Sequence, residues 1–260
     1  MKISQLSKRA KEVVQSAVGS LGYRFQKIRS VEPQQDLDAL ELMMRDLRGR
    51  NPRPFVLQIG ANDGATADPI HHQITKYGLP AVLVEPQPVA FATLKQNYAS
   101  QPDVRFEQAL IAEGGGEREL YMVDPDGTEF GAWCYQIASL DRSLVVSLLR
   151  GHRVAMGVPE DVESFVKAVK IPAKTVSEVL DAHQVSTVDI LIVDTMGFDF
   201  EILKLFPFER TMPSIVSFEE TMLSYEDRLA AYALLQGLGY GLCKVGVDTI
   251  GYLNFRQSRT

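Results

Sequence analysis

Phe55-Val56-Leu57-Gln58-Ile59-Gly60-Ala61-Asn62-Asp63-Gly64 reads as a short buried strand that runs into a tight glycine turn, and this stretch decides the fold. Phe55 to Ile59 is too short for a helix and suits a parallel strand covered on both faces. Gly60 and Gly64 let the backbone turn sharply and lie close to a ligand. The next apolar run, Ala81-Val82-Leu83-Val84-Glu85-Pro86, ends on a carboxylate 25 residues past Gly60. In doubly wound folds an acid about 20 residues beyond the glycine turn accepts hydrogen bonds from ribose hydroxyls. Glu85 therefore marks a ribose-containing ligand.

The glycine spacing narrows the choice. Dinucleotide binding expects G-x-G-x-x-G, whereas Gly60 and Gly64 are separated as G-x-x-x-G with Asp63 between them. An acid at this position disfavours a pyrophosphate at the start of the following helix. A ligand with a cationic sulfonium and an amino-acid tail is better suited, which points to S-adenosylmethionine. Asp63 as a cap of that helix is the plainer alternative.

With 260 residues, 45% hydrophobic and 23% charged, the chain has ordinary globular composition and enough length for one large domain. Cys134 and Cys243 form neither a CxxC pair nor a disulfide framework, as in proteins of a reducing compartment. No stretch approaches the roughly 20 apolar residues that span a bilayer. A cytoplasmic location is expected, with residues 1–30 as an option for contact at the inner membrane face. That segment sets seven Lys and Arg against Glu12 and spaces its apolar residues helically, while the whole chain carries −6. A basic amphipathic helix could lie on an anionic membrane or simply cover the core. The acidic balance argues against general nucleic-acid binding; a homo-oligomer stays open.

A helical pattern through Leu37, Leu40, Leu42, Met43 and Leu47 stops at Asn51-Pro52-Arg53-Pro54, so residues 1–54 read as a helical extension and 55–260 as the catalytic domain. Strands and helices then alternate: a helix from Pro69 to Tyr77, another from Pro88 to Tyr98, and a third strand from Val104 to Leu110. Gly114-Gly115-Gly116 predicts a surface turn into a hairpin that contains Leu120 to Val123. Residues 124–170 form a lid-like insertion, with helices expected over Leu140 to Leu149 and Glu160 to Ala168. Trp133 and Tyr135 within it could stack on a sugar ring or pack the lid. The alternation resumes with a helix Val176 to His183, a central strand Asp189 to Asp194, a helix Phe200 to Phe206, a strand Ile215 to Glu219 and a helix Tyr225 to Leu238. Tyr240 to Leu253 closes as an antiparallel hairpin. The pattern predicts an α/β, Rossmann-like fold with a mostly parallel sheet and helices on both faces.

Three blocks resemble the FkbM-type methyltransferases: Ile59 to Gly64 with Val84-Glu85-Pro86; Asp189 to Asp199 with Glu201-Ile202-Leu203; and Pro213 to Glu219 with Leu235 and Gly239-Tyr240. The resemblance implies a class I S-adenosylmethionine-dependent fold and methyl transfer to a hydroxyl, commonly of a sugar in a glycan or glycolipid or of a secondary metabolite. It implies that Gly60, Ala61, Asn62, Asp63 and Gly64 hold the methionine portion, Glu85 the ribose, and the segment around Gln108 the adenine. Asp194 would face the methyl group or the acceptor. Two departures stand out. The family motif Asp-x-Glu-Gly reads Asp194-Thr195-Met196-Gly197 here, and the histidine that often follows the next strand is replaced by Glu220, Thr221 and Met222.

Methyl transfer from a sulfonium needs in-line approach and a group that accepts the hydroxyl proton. Asp194 is the first candidate for that base, with Asp199 and Glu219 as further catalytic acids. An oxygen cluster of Asp194, Glu219 and Glu220 would suit a divalent metal such as magnesium. Each acid has a plainer reading as a helix cap or an exposed loop residue. His71, His72, His152 and His183 are weaker base candidates. The expected activity is O-methylation of a glycan or small-molecule hydroxyl. Alternatives are a cofactor-binding module that has lost catalysis, suggested by Met196, and a nucleotide-dependent oxidoreductase, which the glycine spacing opposes.

Overall fold

A computed structural model describes residues 39–123, 134, 136–156 and 162–253. The basic segment 1–30 and the aromatic pair Trp133 and Tyr135 lie outside them. In chain order the elements are α1 (Ala39–Arg50), β1 (Val56–Ile59), α2 (His71–Tyr77), β2 (Ala81–Val84), α3 (Pro88–Asn97), β3 (Val104–Glu107), β4 (Leu110–Ile111), β5 (Gly116–Val123), β6 (Ala138–Ser139), α4 (Arg142–Met156), β7 (Val166–Lys174), α5 (Val176–Ala182), β8 (Ile190–Val193), α6 (Asp199–Leu205), β9 (Ile215–Glu219), α7 (Tyr225–Gly237), β10 (Gly241–Val245) and β11 (Asp248–Tyr252).

Seven strands form the main sheet in the order β10-β11-β9-β8-β1-β2-β3. The five strands from β9 to β3 run parallel, and β11 and β10 add antiparallel at the edge. Because successive side chains point to opposite faces, each short apolar strand feeds two cores. Leu57, Ile59, Leu191 and Val193 pack with α5, α6 and α7, while Val56, Leu83, Ile190 and Ile192 pack with α1, α2 and α3. Near-continuous apolar strands covered on both faces are what a parallel sheet requires. Asp189 fixes the base of the sheet: its Oδ2 accepts from the Phe55 amide at 2.7 Å and from Asn51 Nδ2 at 3.1 Å. A capping box between Thr175 and Glu178 starts α5. Among the described residues, no helix is long and apolar enough to cross a membrane.

A second, four-stranded sheet has the order β4-β7-β5-β6. Here two expectations are corrected. The predicted third strand Val104 to Leu110 divides: β3 ends at Glu107, where its partner β2 ends, and Leu110–Ile111 pairs with Ala173 and Lys174 of β7 instead. The helix expected over Glu160 to Ala168 is absent in its described part. Residues 163–165 make one 3₁₀ turn and β7 begins at Val166. β-branched Val166, Val169 and Ile171 favour a strand, and Pro172 cannot donate within a helix. Leu120 to Val123 does form strand, but its long partner is β7, matched over eight positions from Gly116↔Ala173 to Val123↔Val166, rather than an adjacent hairpin arm. Helix α4 covers this sheet through Val145, Val146 and Leu149.

Candidate active site

The site stands beyond the C-terminal ends of the parallel strands. After β1 the chain rises to Gly60, whose φ is +83° and where a Cβ would lie 1.7 Å from the Asp194 carbonyl oxygen. Only glycine lets β1 turn this close to the end of β8. The Gly60 and Ala61 amides both donate to the Val84 carbonyl, at 2.9 and 3.0 Å. The next amide, Asn62, donates to Glu85 Oε2 at 2.8 Å, and Gln87 donates to Oε1 at 2.7 Å. Glu85 thereby links the glycine turn of β1 to the start of α3. Burial pushes its carboxyl up to about 7, although these two amide bonds pull the other way.

A cleft of about 490 Å³ opens here, walled by the glycine turn, the ends of β2, β8 and β9, Leu120 and Ala138 of the second sheet, and Leu140 just after β6. Asp68, Glu85, Asp194, Glu219 and Asp248 line it, and among the described residues no Lys, Arg or His does. Asp194 is open to the cleft. The enclosing walls, then the charges of Glu219, Asp248 and Asp68, push its carboxyl up to about 7. Asp248 stands opposite Glu219 in the β11–β9 ladder; burial, followed by Glu219 and Glu220, raises it to about 6. Three non-glycine residues with left-handed φ also line the cleft: Asn62 at +49°, Ala67 at +55° and Met196 at +51°. Backbone conformations of this kind concentrate at functional sites.

The cleft thus brings together Gly60, Ala61, Asn62, Glu85, Asp194 and Glu219 from the sequence-derived set. Asp63, Gly64, Gln108, Asp199 and Glu220 are placed elsewhere. Asp63 accepts from the Ala65 and Thr66 amides at 2.9 and 2.8 Å and from the Thr66 hydroxyl at 2.6 Å, so its carboxylate shapes the loop. Gly64 packs below it, where a Cβ would lie 2.3 Å from Leu94 Cδ1. Gln108 precedes the lining residue Ala109. Asp199 is fully buried under the floor; its carboxylate accepts from the Thr195 amide and hydroxyl at 3.3 and 3.1 Å and from the Glu219 amide at 3.2 Å. It clamps the ends of β8 and β9 together.

Glu220, 1% exposed, is taken up by Lys244, by Tyr232 and by the Thr249 hydroxyl at 2.5 Å. Burial alone would raise its carboxyl, but these bonds outweigh burial and hold it at about 2. The Asp194–Glu219–Glu220 metal cluster therefore does not form, and among the described residues no three His, Cys, Asp or Glu are grouped to hold an ion. Among the described residues, the donor set does not fit a divalent metal. Among the histidines, the His71 ring meets Tyr98 edge-on at 5.0 Å and His183 Nε2 lies 3.0 Å from Glu107. His152 lies outside the described side chains. Sequence reading missed Gln58, Asp68 and Asp248. Asp68-Pro69 ahead of a helix is a capping signal, and the closing hairpin's register would have placed Asp248 beside Glu219.

A parallel sheet extended by an antiparallel hairpin, with a glycine turn and a strand-end acid on one cleft, is the fold of the class I S-adenosylmethionine-dependent methyltransferases. The methyltransferase FkbM domain family matches residues 58–242, and the chain belongs to that family. Solved structures similar to it include an FkbM methyltransferase from Methylobacillus flagellatus, at 12% identity and TM-score 0.47 over 77% of this chain and 43% of that one. Others are the Methanococcus jannaschii fibrillarin pre-rRNA processing protein, at 10% and 0.39 over 77% and 66%, and precorrin-6y C5,15-methyltransferase from Geobacter metallireducens, at 10% and 0.40 over 85% and 94%. The chain spans less than half of the Methylobacillus protein. No curated protein matches it.

Proposed function

We propose that the protein is an O-methyltransferase that uses S-adenosylmethionine to methylate an uncharged hydroxyl, that of a sugar in a glycan or glycolipid or of a secondary metabolite. The observation that carries this reading is Asp194: a carboxylate open to the cleft and unpaired among the described residues, with its proton affinity raised to about 7. A base with a pKa near the working pH is the most effective acceptor for a hydroxyl proton.

The residues present fit the cofactor. Asn62 Oδ1 is buried without a hydrogen-bond partner among the described residues, and Gly60, Ala61 and Asn62 all line the cleft. Glu85 would accept from ribose hydroxyls, and Gly60 to Asn62 would border the methionine portion. When bound, S-adenosylmethionine supplies an activated methyl group on a cationic sulfur. The chain's own residues do the rest. The second sheet and the glycine turn enclose the cleft, Asp199 holds Thr195, the neighbour of Asp194, and the Glu219 amide in place, and Asp194 takes the acceptor proton. Five carboxylates, with no Lys, Arg or His facing them among the described residues, favour neutral acceptors over phosphorylated ones.

Met196 supports a second reading, a binding module without turnover, because a thioether stands in the cleft where the family motif has an acid. The deciding experiment incubates the protein with S-adenosylmethionine and neutral glycans or hydroxylated metabolites and follows S-adenosylhomocysteine release. Turnover that disappears in Asp194→Asn supports the enzyme; cofactor binding with no turnover on any acceptor supports the module.

A further inference from the structure

Gln58 is 2% exposed, lines the cleft, and has an Oε1 without a hydrogen-bond partner among the described residues. Its Nε2 donates to Asp68 Oδ2 at 2.8 Å. Asp68 Oδ1 accepts from the Ile70 and His71 amides at 2.8 and 2.7 Å. Those amide bonds are what a helix cap needs. Capping explains neither a glutamine reaching across from β1 nor the stranded carbonyl oxygen beside it.

A carboxylate offers about four acceptor positions, and three at Asp68 are filled. The fourth and Gln58 Oε1 together make a corner with two acceptors, one of them charged. A primary ammonium carries three donors and no acceptor. No Lys or Arg lines the cleft among the described residues to supply one, so the donor comes with the ligand. Glu85 is held separately, by Asn62 and Gln87. Asp68 and Glu85 are therefore fixed independently of each other, one anchored to β1 and one following β2.

We infer that Asp68, aimed by Gln58, receives the α-ammonium group of the cofactor's methionyl tail. The inference rests on the cofactor reading above and extends it to two residues that lie outside the glycine turn. The contact is a charge-assisted hydrogen bond in an enclosed site, the stronger kind.

Calorimetric titration of the full chain with S-adenosylhomocysteine and with 5′-methylthioadenosine, which lacks the amino-acid tail, tests it. Asp68→Asn should bind S-adenosylhomocysteine roughly 10- to 100-fold more weakly, a loss of one to two decades in affinity, and 5′-methylthioadenosine within about twofold of the unaltered protein. Asp68→Ser keeps a capping hydroxyl without the charge and should behave the same way. Retained 5′-methylthioadenosine binding shows that either variant is folded. Equal losses for both ligands in both variants, or no loss for either, overturn the inference while leaving the cofactor reading intact. Binding of neither ligand by the unaltered protein overturns both.

Discussion

The Asn62 amide donates to Glu85 Oε2 at 2.8 Å, so the acid expected to bind ribose is also the pin that holds the glycine turn against the end of β2. Ligand binding and loop shape share one carboxylate.

Glu85→Ala should therefore do two things at once. It removes a group facing the cofactor and strands two amide donors, Asn62 and Gln87, each costing about 1–3 kcal/mol when left unpaired. The expected outcome is weaker S-adenosylhomocysteine binding by calorimetry together with a lowered unfolding midpoint. Unchanged stability would show that Glu85 does not pin the turn.

Asp194→Asn should retain cofactor binding and lower kcat by about 100-fold or more, the usual range for a lost general base. Burial and the neighbouring acids raise Asp194 to about 7. In the unaltered enzyme kcat should thus climb as pH passes through that value and level off above it. A flat profile between pH 6 and 8 contradicts the assignment.

Stability without ligand should run the other way. Glu85 and Asp199 have folded-state values of about 7, above their ordinary 4.5 and 3.8. Between these limits the folded chain binds more protons than the unfolded one, so their contribution is complete at low pH and is lost as pH rises toward 7. Glu220, held at about 2, acts oppositely, and its contribution disappears only as pH falls below the ordinary carboxylate range. Thermal unfolding should show a higher midpoint at pH 5.5 than at pH 7.5. Glu85→Gln should flatten that difference.

Gly60→Ala and Gly78→Ala offer a graded test of the turn. A Cβ at Gly60 meets backbone at 1.7 Å, whereas at Gly78, φ +56°, nothing lies within 4 Å. The second change carries only the left-handed penalty of about 1–2 kcal/mol. The first forces β1 away from β8 and should cost more than about 4 kcal/mol, the range of severe core defects. Denaturant unfolding of both variants measures the gap.

The parallel sheet was legible because β1, β2, β8 and β9 are short, largely apolar runs, a pattern set by burial on both faces, and β2, β8 and β9 lead into the acids Glu85, Asp194 and Glu219. β9 matches residue for residue, and the helices flanking the parallel sheet shift by one or two positions at their ends, whereas α4, expected to stop at Leu149, runs on to Met156. The second sheet was not legible: β5 and β7 are joined by 42 intervening residues, and nothing local in Val166 to Lys174 says which partner it meets. The site divides in the same way. Strand ends foretold that Glu85, Asp194 and Glu219 reach the cleft. Asp63, Asp199 and Glu220 share the same chemistry but are claimed by nearby donors, which only the folded geometry reveals.

The pairing of β1 with β8 joins Val56 to Ile190, residues 134 positions apart. Long-range parallel pairing is slow, since loop closure comes before the contacts that reward it. During synthesis the first three parallel strands can assemble early, yet Asp194 reaches Gly60 only after most of the chain has been made. Hydrogen exchange during refolding should accordingly protect β1 and β2 from each other's side first and close the β1–β8 seam last. A complete cleft is then a late checkpoint, reached only by chains whose central strands have found one another.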